Sequence, residues 1–115
     1  MQPGCIFCKI AAGEIPSKTI MRDDEVVAIE DVNPQAPVHM LVMPLAHFED
    51  IVGFSESGDP AMMAKLFAIA SKLGRERAGS GGFRIVVNTG AEGGQTVDHL
   101  HVHVLGGRRM HWPPG

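Results

Sequence analysis

Near the end of the chain His99, His101 and His103 alternate with Leu100, Val102 and Val104. Side chains of a strand point to opposite faces in turn, so an extended segment sets three imidazoles on one face and aliphatic groups on the other. Same-face neighbours then lie ~6.6 Å apart, close enough to share a ligand. Solvent-facing strand positions ordinarily hold Thr, Lys, Glu or Ser, so a run of imidazoles is read as the seat of chemistry. Imidazole can attack an electrophile, carry protons or bind metal.

The 115 residues suit one compact domain spanning residues 1–115, since domains typically hold roughly 100 to 150 residues. The net charge of −3 gives no basic footprint for a nucleic-acid polymer. Hydrophobic residues reach 44%, yet no run approaches the roughly 20 apolar residues that span a bilayer, so no membrane partner is expected. The start of the chain carries no basic, apolar, small-residue leader pattern, which favours a cytoplasmic protein.

Periodicity sets the expected elements. Residues 6–12 read as a short helix that Gly13 ends and Pro16 keeps from continuing. Residues 26–29 and 39–43 read as strands of a hairpin joined by the Asn33-Pro34-Gln35-Ala36-Pro37 turn. Met62, Met63, Leu66, Phe67, Ile69, Ala70 and Leu73 recur at helical spacing, predicting about four turns of amphipathic helix capped by Asp59-Pro60 and ended by the glycines of 79–82. Residues 83–87 make a third strand. Residues 88–96, with three glycines, form an exposed loop that feeds the histidine strand. The sum is an antiparallel sheet with one main helix against it, an α+β arrangement.

Two further clusters carry chemical meaning. In Gly90-Ala91-Glu92-Gly93-Gly94-Gln95-Thr96 the glycines let backbone N–H groups approach an anion, and Thr96 adds a hydroxyl three residues before the first histidine, which favours phosphate binding. Cys5 and Cys8 have Cys-x-x-Cys spacing outside any βαβ context, which argues against a redox role. Two thiolates are half of a tetrahedral zinc site, and His47 and His99 are candidates to complete it.

His99-Leu100-His101-Val102-His103-Val104-Leu105 resembles the signature of the histidine triad (HIT) nucleotide hydrolases and transferases. The likeness runs over nearly the whole chain: Cys5-Ile6-Phe7-Cys8-Lys9-Ile10, Pro34-Gln35-Ala36-Pro37-Val38-His39, Asn88, Gly93-Gly94-Gln95-Thr96 and the tail from Gly106 through Trp112 to Gly115. That tail resembles the nucleotide-binding branch that hydrolyses adenosine phosphoramidates. The resemblance implies a HIT-like fold, with a five-stranded antiparallel sheet, one main helix and a short N-terminal helix. It also implies a homodimer across which the sheet continues, with the tail reaching the partner's active site.

The resemblance further implies roles. His101 matches the nucleophile that becomes covalently joined to phosphorus, and His103 a hydrogen-bonding group at the phosphoryl or leaving-group oxygens. His39 would stand behind the nucleophile and orient it. Asp31 matches the ligand of both ribose hydroxyls, and Val32, with Phe7, Ile10 and Ile29, would line a purine pocket for AMP- or GMP-type nucleotides. Asn88 would donate to the phosphate or 5′ oxygen. Gly94, Gln95 and Thr96 would lie at the phosphate, the Thr96 hydroxyl and the Gln95 and Thr96 backbone holding its nonbridging oxygens. Family members commonly carry serine where Thr96 stands. Cys5, Cys8, His47 and His99 match a closed structural zinc site, and no catalytic metal is expected. If His99 shares a face with His101, its ring must swing aside to reach that metal. The expected activity is hydrolysis of the P–N bond of purine nucleoside 5′-phosphoramidates; the alternatives are a zinc-stabilised nucleotide-binding or interaction module and a dinucleoside polyphosphate hydrolase of the same family.

Overall fold

The computed structural model describes residues 4–115. Helix α1 (Ile6–Ala11) begins where the Cys5 thiol accepts the Cys8 N–H, and it gives way to Gly13 at φ +77°. Strands β1 (Thr19–Arg22), β2 (Val26–Glu30) and β3 (Val38–Pro44) follow as an antiparallel meander. The hairpin is the expected one, slightly longer at both ends, with Val26 opposite Pro44 and Glu30 opposite Met40.

Helix α2 (Ile51–Ser57) had no counterpart in the sequence reading. Its seven residues carry Gly53, Ser55 and Ser57 and too few apolar positions to show a period. It rests on the Asp50 cap, whose carboxylate accepts the Gly53 N–H at 2.8 Å, and on Phe54, which is buried in the core. Helix α3 (Pro60–Ala78) starts at Asp59, as the cap pattern required, but runs past the expected four turns. The apolar period ends at Leu73 while Arg75, Glu76 and Arg77 continue the helix on its solvent side, where an apolar count cannot follow it.

Strand β4 (Phe83–Val86) and strand β5 (Val102–Gly106) complete a five-stranded sheet of order β1-β2-β3-β5-β4, antiparallel throughout. Its two faces explain the unbroken burial of Val26, Val27, Ala28 and Ile29. Val26, Ala28, Met40, Val42, Val102 and Val104 pack beneath α3 with Leu66, Ala70 and Leu73, whereas Val27, Ile29, Leu41 and Met43 pack with Phe7 of α1. The second face carries the histidines. Among the described residues no helix is long and apolar enough to cross a membrane.

The regular histidine strand is corrected by the structure. Strand β5 begins only at Val102, so His103 alone of the three lies within it. Residues 97–101 are irregular because the Leu100 N–H is drawn to the Phe48 carbonyl at 2.6 Å and its side chain is buried in the core.

Candidate functional site

Irregularity before β5 lets consecutive alternate histidines face different neighbours. The His99 ring is fully buried: Nε2 donates to the Pro44 carbonyl at 2.8 Å, which turns the Nδ1 lone pair toward the thiols of Cys5 and Cys8, each 3.4 Å away. His47 Nδ1 lies 3.2 Å from Cys8 Sγ, and all four ligand atoms fall within 4.8 Å of one another. Tetrahedral zinc, with Zn–S near 2.3 Å and Zn–N near 2.05 Å, places neighbouring ligand atoms about 3.5 Å apart, so this donor set fits the ion. The Pro44 carbonyl is the kind of outer partner that fixes a ligand imidazole's tautomer. Burial raises the Cys5 thiol pKa. The swing expected of His99 is thus achieved by backbone geometry.

His101 Nδ1 lies 2.8 Å from the His99 carbonyl. A carbonyl can only accept, so Nδ1 carries the proton and a neutral ring keeps its lone pair on Nε2. Burial is the main influence that lowers the His101 pKa and favours this neutral form. The Phe7 ring stands edge-on against it, 4.9 Å between centroids.

His103 sits 4.9 Å from His101, ring centre to ring centre, and its protonation is set through His39. The Gln35 backbone N–H donates to His39 Nδ1 at 3.0 Å, so the proton of the neutral ring must be on Nε2. That Nε2–H reaches His103 Nδ1 at 2.9 Å and lies 3.3 Å from Asp31 Oδ2. His103 Nδ1 therefore accepts, and its Nε2 carries a hydrogen. Burial, then the neighbouring His101 and His39, push the His103 pKa down to about 4. His39 is also held below its ordinary value by burial, against the opposing pull of Asp31. The place expected for His39, behind His101, is corrected: it hydrogen-bonds His103, which lies diagonally across from it on β5, two residues away in register.

A cavity of about 570 Å³ joins these groups. Phe7, Ile10 and Ile29 line one part, Asp31, Val32 and His39 another, and Thr96, His101 and His103 a third. Val32 is a rim residue, 95% exposed. Asp31 also closes its own turn, Oδ1 accepting the Asn33 N–H at 2.9 Å.

The glycine loop is partly self-satisfied. The Gln95 N–H, expected at a phosphate oxygen, donates to the Gly90 carbonyl at 3.0 Å, and the Gly94 N–H donates to Ala91. Gln95 Nε2 reaches the carbonyls of Glu49 and Val97. Asn88, also expected at the phosphate, is instead 2.7 Å from the Gly93 carbonyl through Nδ2 and lies off the cavity wall. A loop of nine residues needs these bonds to hold its shape, so they displace ligand contacts. Thr96 retains an open N–H and hydroxyl among the described residues. Sequence reasoning missed the Gln35 backbone donor and Ser17 on the cavity wall. Neither has a residue-type signal, since one is a peptide group and the other a lone serine between elements.

Known proteins share this sequence pattern and this fold. The HIT domain family matches residues 12–110. A crystal structure of a HIT family hydrolase from Legionella pneumophila superposes with a TM-score of 0.92 at 42% identity, covering 97% of this chain and 100% of that one. The adenylylsulfatase HINT1 of Arabidopsis thaliana is 41% identical over 112 residues, 96% of this chain and 76% of its own. A 14 kDa zinc-binding protein of Brassica juncea is 41% identical over 96% of this chain and 98% of its own. Two buried histidines and a half-buried third beside a cleft, with a family match over most of its length, make this chain a member of the HIT domain family, in its HINT-like branch.

Proposed function

We propose that the protein hydrolyses purine nucleoside 5′-phosphoramidates through a nucleotidyl-histidine at His101. The observation that carries this reading is the bond from His101 Nδ1 to the His99 carbonyl, which leaves Nε2 as an unprotonated nucleophile on the wall of the cavity. In the first step Nε2 bonds to the α-phosphorus and the P–N bond breaks, its electron pair going to the departing amine. The amine takes its proton from solvent. His103 is not that acid, because a neutral imidazole that gave up Nε2–H would become an imidazolate; it donates a hydrogen bond to the phosphoryl oxygen where charge develops. The Thr96 hydroxyl and N–H serve the other nonbridging oxygen. In the second step water bonds to phosphorus, the His101–P bond breaks with its pair returning to Nε2, and the nucleotide leaves with a proton released to solvent.

Asp31 accepts from the ribose hydroxyls, and the apolar wall of Phe7, Ile10 and Ile29, with Val32 at the rim, takes either purine. Asn88, Gly94 and Gln95 shape the loop that presents Thr96. The relatives named as a hydrolase and as an adenylylsulfatase support transfer at a nucleotide phosphorus. Zinc held by Cys5, Cys8, His47 and His99 supplies a cross-link between α1 and the histidine segment. The uncovered edge of β4 supports a homodimer with a continuous sheet.

Incubation with adenosine phosphoramidate and mass analysis of the quenched protein should reveal an adenylyl group on His101. His101→Asn should lower turnover by at least about a thousandfold. AMP release by that variant at the parental rate would remove the nucleophile and leave a nucleotide-binding module. A panel that includes dinucleoside polyphosphates separates the phosphoramidase from the polyphosphate hydrolase.

A further inference from the structure

The tail after β5 is joined to the catalytic histidines through the backbone of one residue, Gln35. Gly106 ends β5 opposite Val38, so the chain that follows runs beside the residues that precede β3. Gly107 takes φ +84°, and a Cβ there would stand 2.9 Å from Pro37 Cβ, so the two segments approach as closely as they do only with glycine. Arg108 then reaches across: Nε donates to the Gln35 carbonyl at 3.2 Å, while Nη1 donates to the Arg109 carbonyl at 3.1 Å. Gln35 is also the residue whose N–H fixes His39 Nδ1 as an acceptor. Its side chain completes the turn, Nε2 donating to the Asn33 carbonyl at 3.0 Å.

We propose that Arg108 is a positioning residue, which holds the Gln35 turn so that His39 keeps its proton on Nε2 and His103 keeps Nε2–H toward the cavity. The chain of contacts is Arg108 to the Gln35 carbonyl, the Gln35 N–H to His39 Nδ1, and His39 Nε2–H to His103 Nδ1. Arg108 pairs with no carboxylate among the described residues, so both of its contacts serve backbone geometry. If the turn loosens, His39 Nδ1 loses the Gln35 donor, the ring can carry its proton on either nitrogen, and its grip on His103 fails in a share of molecules. Arg108 is not on the wall of the cavity that holds His101 and His103. The inference rests on the proposed hydrolase reading for its kinetic consequence, though not for its structural one.

The test compares Arg108→Ala, Arg108→Lys and the parent. Nitrogen-15 spectra of the histidine side chains, recorded on free protein, should show His39 as a single Nε2–H tautomer in the parent and as a mixture in Arg108→Ala. Arg108→Lys retains a donor that can reach the carbonyl and should restore most of the parental spectrum. With adenosine phosphoramidate, Arg108→Ala should lower kcat about fivefold and leave KM within twofold, because the nucleoside wall is untouched. An unchanged His39 tautomer in Arg108→Ala, with its melting temperature intact, overturns the proposal whatever the kinetics. A mixed tautomer without any turnover in the parent would sustain the positioning link and sink the hydrolase reading instead.

Discussion

At the scale of single residues the site is governed by which nitrogen of each imidazole holds a proton, and backbone groups decide it. The His99 carbonyl assigns His101, the Gln35 N–H assigns His39, and His39 assigns His103. Burial keeps these rings neutral, and this has a cost in acid. His103 in the unfolded chain takes up a proton near pH 6.5, whereas in the folded protein it resists until about pH 4. Between those values the unfolded state binds more protons, so stability is complete above about pH 6.5 and falls as the pH drops toward 4. His39 and His101, also lowered by burial, act in the same direction. Melting temperatures measured across this window should fall steadily with acid, and more gently in His103→Asn, whose side-chain oxygen can still accept from His39. Equal slopes in parent and variant would contradict the assignment of His103.

At the scale of elements, the sheet holds its register because both faces are covered, and α3 lies close enough to β4 to leave no room for a methyl group at one point. A Cβ on Gly74 would stand 2.6 Å from the Phe83 ring. Intrinsic propensity alone predicts that Gly74→Ala stabilises the helix by about 1 kcal/mol. Overpacking opposes this and typically costs about 1–3 kcal/mol, so the net change should be destabilising. Denaturant melts of the variant decide between the two, and a raised midpoint would show that Phe83 yields freely. Helix α2 teaches the converse lesson. A seven-residue helix with glycine and serine inside it has little stability of its own, and burial of Phe54 supplies what propensity does not.

At the scale of the molecule, the Cys5, Cys8, His47 and His99 cluster ties three distant stretches of chain together on the face that holds the cavity. Elemental analysis should find one zinc per chain, and removing it with a chelator should lower the melting temperature by more than it does in Cys8→Ala. A closed four-ligand site offers no open position for substrate, so turnover should persist without metal as long as the fold does. Turnover that is lost on chelation and restored by metal with the fold intact throughout would instead indicate a catalytic ion. The open β4 edge leads to a second expectation, a sedimenting species of about twice the 12.3 kDa chain mass. A monomer at micromolar concentration would leave the tail, including the 85% exposed Trp112, without the partner site that the family resemblance implies for it.

Much of this was legible from residue order alone. The outline of hairpin, main helix and sheet, without β1 and α2, follows from the spacing of apolar residues, because burial on a 2.0 or 3.6 period is a property of local sequence. The gathering of Cys5, Cys8, His47 and His99 was legible because cysteine and histidine are few, and His101, His103, Asp31 and Thr96 do reach one cavity. What alternation alone could not provide was the direction of each ring. Leu100 is pulled to Phe48, and this long-range bond breaks the strand between His99 and His103 and sends one imidazole to the thiols and two to the cleft. The placing of His39 on His103, the loop bonds that occupy Asn88 and the Gln95 N–H, and the reach of Arg108 to Gln35 have the same origin. The first joins two side chains far apart in sequence and the others end on peptide groups, which every residue carries, and only the folded chain determines which of these groups meet.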